Sequence, residues 1–147
     1  MSVRYGFSGV RIAAMTGLLV LANVALAEGA AGALTYKTVE QWNIDAGGWV
    51  RVVVVNRKAP TEAQLRALGE KLKQDTKNEP NAAVHIYDDA GAARSRHAAW
   101  KGTLGKSATK AHDRHRVALY WRDAVRGTHT LDISTEGVDG PVVVVKY

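Results

Sequence analysis

Four consecutive valines, Val52 to Val55, lie inside the run WVRVVVVN from Trp49 to Asn56. This run constrains the fold more than any other feature of the chain. β-Branched residues favour a strand because their χ1 is already restricted. Neighbours in a strand point to opposite faces, so an unbroken apolar run places apolar side chains on both faces. Such a strand has to be central in a sheet and covered on each side.

The flanking sequence supplies the other parts. Thr35 to Trp42 (TYKTVEQW) is rich in strand formers, and Asp45-Ala-Gly-Gly48 signals a turn, so the two runs are expected to form a hairpin. Pro60-Thr61-Glu62-Ala63-Gln64 is a helix start, with Thr61 as cap and Gln64 completing a capping box. Leu65, Leu68 and Leu72 recur at helical spacing, and the helix is expected over 61–76. Further strands are expected at Ala82 to Asp88, His115 to Arg122, Thr128 to Ser134 and Val142 to Val145. Val84 and Ile86 should face one way and His85 and Tyr87 the other; Val117, Leu119 and Trp121 should share a face. Asp89 to Trp100 suits a short helix or a loop. Lys101 to Ala111, with Gly102 and Gly105, reads as a mobile loop. The predicted class is α+β: a mainly antiparallel sheet of five to six strands, with one main amphipathic helix packed on one face.

The first residues have a different character. Met1 to Arg11 carries two arginines and no acid, Ile12 to Ala22 is a compact apolar run, and Ala25 and Ala27 occupy the small-residue positions of a cleavage site. That order is the secretory pattern. The organisation expected is a signal peptide at 1–27, a flexible tether at 28–34 and a single α+β domain at 35–147. The protein would be exported, periplasmic or extracellular, from a bacterium. The competing reading keeps the leader as an anchor, but its apolar stretch is shorter than the roughly 20 residues a spanning helix needs.

Leu34 to Asp89 resembles an uncharacterised family of small bacterial exported or lipid-anchored domains. The family pattern is a TYKVV-like strand, an RVVV-like strand, a TEEQLKAIA-like helix start and a strand near A-x-x-IFFYD. The matching pieces here are TYKTVEQW, RVVVV, TEAQLRALGEKL and AAVHIYDD. The resemblance implies fold and localisation and carries no activity.

The sequence contains no cysteine, so thiolate metal sites, cysteine nucleophiles and an amino-terminal lipid anchor are excluded. The net charge is +6 over 147 residues. Removing Arg4 and Arg11 with the leader leaves 18 basic residues against 14 acidic, a net +4. Most of that excess is local. Arg94, Arg96, Lys101, Lys106, Lys110, Arg114 and Arg116 face a single acid, Asp113, within 94–116. With Trp100 among them, these seven residues are the candidate anion-binding set. The partner expected is an envelope protein or a polyanionic surface. Nucleic acid is the weaker candidate for an exported chain, and no membrane span remains after cleavage.

An alternative is a small metal-dependent or histidine-based hydrolase using His97, His112, Asp113 and His115. On a helix His112 and His115 would share a face, and on a strand they would point to opposite faces; His115 is expected at a strand start, which weakens a metal reading. No G-x-S-x-G, P-loop or G-x-G-x-x-G is present. The sequence therefore assigns no catalytic, cofactor-binding or metal residues and no cofactor. Asp88-Asp89 reads as a strand end, with Asp89 capping the segment after it. His85 and His129 read as half-buried strand histidines. Trp42, Trp49, Trp100 and Trp121 read as core or sheet-face residues, unless two share an exposed face and form a groove for sugar or peptide.

Overall fold

The structure, a computed structural model, describes residues 32–44 and 47–147. The leader and the start of the tether lie outside the described residues, as do Asp45 and Ala46 of the expected turn. The elements are β1 (Tyr36–Asn43), β2 (Trp49–Val55), α1 (Glu62–Asp75), β3 (Asn81–Tyr87), α2 (Ala90–Arg94), α3 (Arg96–Trp100), α4 (Lys106–Arg114), β4 (Arg116–Asp123), β5 (Thr128–Ile133) and β6 (Val143–Lys146). The six strands lie side by side in sequence order. Four neighbouring pairs are antiparallel. The exception is β2–β3, which is parallel because α1 serves as the crossover between them. The fold is α+β around a mixed sheet, and the hairpin of β1 and β2 forms as expected.

α1 follows its sequence signals closely. Thr61 Oγ1 accepts the Gln64 N–H, and the Gln64 side chain accepts the Thr61 N–H. Leu65, Leu68 and Leu72 are buried against Trp49, Val53, Val84, Ile86, Tyr120 and Leu131. At about 1.5–3 kcal/mol for each buried leucine, this stripe is a main source of stability.

Gly69, also buried on α1, has a specific reason to be glycine. A Cβ there would collide with the Tyr147 hydroxyl and come within 2.7 Å of Leu131 Cδ2. Tyr147 thus packs over the helix at Gly69, with its ring tilted by 53° to that of His129 at 5.0 Å between ring centres. Its hydroxyl is buried and has no hydrogen-bond partner among the described residues. Burial pushes this phenol up to about 12. Tyr147→Phe keeps the ring and removes the unsatisfied group, so it should stabilise the domain by about 1 kcal/mol. Urea unfolding checks this; a lower midpoint would show that the hydroxyl is satisfied in solution.

The opposite face carries Val52, Tyr87, Ala92 and Ala93, with Val39, Trp42 and Val54 packed around them. The valine run is therefore covered on both sides, by α1 on one and α2 on the other. The main helix packs on one face as expected, and short helices lie on the other. Here the structure corrects one expectation: Lys106–Arg114 is a helix where a mobile loop was expected. Gly102 and Gly105 break the chain only ahead of α4, and its last turn is anchored by the buried His112.

A second correction concerns β4. Val117, Leu119 and Trp121 do not share a face. The β3–β4 register shifts between Ile86 and Tyr87, so Ile86 pairs with Ala118 while Tyr87 pairs with Arg116. Val117 is the extra residue of a β-bulge. It joins Ala118 and Tyr120 in the core beneath α1. Bulges re-aim the side chains beside them. Here the bulge turns Arg116 onto the α2–α4 side, alongside Tyr87.

Candidate basic recess beneath the helical cap

The seven basic residues of 94–116 divide into two groups. Arg94, Lys101, Lys106, Lys110 and Arg114 are exposed on the outside of the cap formed by α2, α3 and α4. Arg96 and Arg116 are half-buried and line a recess of about 280 Å³. Tyr87, Trp100, Thr109, His112 and Asp113 line it with them. Trp100 is 72% exposed.

None of the seven cations has a carboxylate within 4.0 Å among the described residues. Elsewhere Lys58, Arg66, Lys71, Lys73 and Arg126 are all paired.

The floor of the recess is held by neutral groups. His112 Nδ1 lies 2.9 Å from the Ala92 carbonyl, which can only accept, so Nδ1 carries the proton. Nε2 then accepts from the Tyr87 hydroxyl at 3.1 Å. Ser95 Oγ donates to the same Ala92 carbonyl at 2.9 Å. This network fastens α4 to α2 and to β3. Burial lowers the His112 pKa and raises Tyr87 to about 12, so both are neutral at pH 7. His112 is therefore a core residue, neutral at pH 7, and not part of the cap's positive charge there.

Arg96 Nη2 donates to His85 Nε2 at 3.4 Å. His85 consequently carries its proton on Nδ1, which is buried with no partner among the described residues. Burial, reinforced by Arg96 and Arg116, pushes the His85 pKa down to about 3. The positive charge of the recess therefore comes from its two guanidinium groups.

The histidines of the hydrolase alternative do not converge. His97 Nδ1 lies 4.0 Å from Glu40, and His112 faces Tyr87. His115 Nδ1 is 2.7 Å from Asp88 Oδ1, whose other oxygen accepts the Ala59 N–H at 2.8 Å. Asp113 lines the recess. No three metal-ligating side chains come together among the described residues. Asp89 caps α2 as expected, accepting the Gly91 and Ala92 N–H groups, and these bonds hold its carboxyl below the usual range.

A second hollow, of about 340 Å³, lies at the other end of the same sheet face. Val50, Ala83 and Trp121 line it. Its polar side chains are already committed: Arg122 donates to the Glu79 and Lys77 carbonyls, and Arg126 pairs with Asp123. Trp42 and Trp121 share this sheet face, but Trp42 is packed beside Val52. Trp49 is in the core beneath α1.

Sequence reasoning identified the basic segment but not the recess. Arg116 enters it only through the bulge, and the unbroken apolar run VALYW gives no sign of where a bulge falls. No helix among the described residues is long and apolar enough to cross a membrane. In comparisons with known proteins, no family model, curated protein or solved structure matches the chain.

Proposed function

We propose that this chain is an exported, non-catalytic binding module of the bacterial envelope that docks on a surface dense in anionic groups. One observation carries the reading: seven cations cluster on and beside one helical cap, and none is neutralised by a carboxylate among the described residues. Unpaired, largely exposed positive charges raise the local concentration of polyanions and remain free to replace their counterions. The leader pattern at 1–27 supports the location.

The test is binding to anionic phospholipid vesicles and retention on immobilised heparin, each across a salt series. Both should weaken steeply with salt. Replacing Lys101, Lys106 and Lys110 with glutamine should weaken vesicle binding about 100-fold, at about 1 kcal/mol per surface lysine. Binding to one matrix alone would identify lipid or acidic polymer as the source. Salt-independent behaviour, or an unchanged triple variant, would overturn the electrostatic reading. Intact mass of the protein recovered from a bacterium should begin at Glu28; soluble cytoplasmic protein beginning at Met1 would overturn export.

A further inference from the structure

We infer that the recess under α3 and α4 is a site for a single anionic sugar unit, a hydroxyl-bearing ring with a phosphate or carboxylate substituent. The inference rests on the polyanion reading and adds the identity of the group recognised. The arrangement differs from a general cationic surface in four respects. Arg96 and Arg116 are half-buried where the other five cations are exposed, and a charge withdrawn from water without a partner is costly. A guanidinium presents five N–H donors. Arg96 commits one, to His85, and the Arg116 side chain commits none among the described residues. Together they suit the paired oxygens of a phosphate or carboxylate.

The second respect is Asp113. It lines the same recess, and its carboxylate has no ion pair or side-chain hydrogen bond among the described residues. A carboxylate in a site for a bare anion would oppose binding. Beside a hydroxyl-bearing ring it accepts hydroxyl protons, while the arginines hold the anionic substituent. The third is Trp100, which lines the recess with its indole largely exposed. An indole offers a flat apolar surface for the C–H face of a sugar ring, and its N–H offers a donor. The fourth is size: about 280 Å³ is room for a single ring.

The test is calorimetry with nuclear magnetic resonance of the Trp100 indole N–H, using four probes: glucose 6-phosphate, glucuronate, glucose and inorganic phosphate. The two anionic sugars should saturate and shift the Trp100 signal, and the stronger of them distinguishes phosphate from carboxylate. Glucose and inorganic phosphate should each bind at least tenfold more weakly. Arg96→Gln and Arg116→Gln should each cost tenfold or more. Asp113→Asn should weaken the sugar anions and, by removing a like charge, strengthen inorganic phosphate. The urea midpoint of each variant separates lost binding from lost folding.

Equal binding of inorganic phosphate and the sugar anions, with Asp113→Asn silent, would overturn the sugar assignment. No binding by any probe would overturn the site. The glutamine triple variant at Lys101, Lys106 and Lys110 separates the two readings. It should lose vesicle or heparin binding and keep the sugar anion. Retention on a polyanion without small-anion binding overturns this inference alone; the reverse overturns the polyanion reading alone.

Discussion

Lowering the pH from 7 to 4 should strip stability from this domain faster than from its His85→Gln variant. His85 stands in the middle strands of the sheet, in register with Val52 on β2 and Leu119 on β4. Desolvation is the main reason that it refuses a proton, followed by the nearby positive charges of Arg96 and Arg116, and its pKa falls from 6.5 to about 3. In the unfolded chain the same imidazole takes up its proton near pH 6.5. Between these values the unfolded state binds the extra proton, so stability rises with pH. The contribution is fully present above 6.5 and is lost as pH falls towards 3. The slope is about 1.4 kcal/mol per pH unit for one such group, or on the order of 5 kcal/mol over the whole range. A domain of this size holds about 5–15 kcal/mol in all, so the loss is large. His112 and His129 are lowered as well, again chiefly by burial, and push in the same direction. Glutamine preserves an acceptor for Arg96 without titrating. Urea unfolding at pH 7, 5.5 and 4 should show a clearly flatter pH profile for His85→Gln. Parallel profiles would mean that His85 takes up its proton in the folded domain as readily as in the unfolded chain.

The same residue shows what could be read in the chain beforehand. Strict alternation assigned His85 and Tyr87 to one face of their strand and Val84 and Ile86 to the other, and the structure agrees. The capping box at Thr61 and Gln64 and the leucine stripe of α1 were equally legible, because each is a local signal with one geometric meaning. Two parts of the site were not. The segment from 101 to 111 has glycines, lysines and small residues, and its helix depends on a tertiary anchor, His112 between Ala92 and Tyr87. Short helices are set by packing more than by propensity. The bulge at Val117 is a long-range event, decided by how β4 meets β3, and no periodicity within β4 marks it. The recess was hidden because both its position and the direction of Arg116 depend on these two features.

Gly137→Ala should be among the most damaging single substitutions in the domain and should act on the recess from a distance. Gly137 is buried in the connection from β5 to β6, with φ of +90°. A Cβ there would lie 2.6 Å from Arg114 Cα and 2.9 Å from the Asp113 carbonyl oxygen, both backbone atoms of the last turn of α4. The next residue, Val138, donates its N–H to that carbonyl at 3.0 Å. This loop therefore clamps the end of α4, which carries His112 and Asp113 into place. An alanine adds backbone strain of about 1–3 kcal/mol. Overpacking against a backbone that cannot turn aside adds about 1–3 kcal/mol more. Gly127 provides the control. Its φ is also positive, +66°, but a Cβ there would meet nothing within 4 Å. Gly127→Ala should therefore show strain alone and cost about 1 kcal/mol. The difference between the two variants measures the contact with α4. Amide hydrogen exchange should quicken along 106–114 in Gly137→Ala and stay unchanged there in Gly127→Ala. Equal losses in the two, with α4 equally protected, would mean that the β5–β6 connection does not hold the helix and that His112 alone keeps the recess in shape.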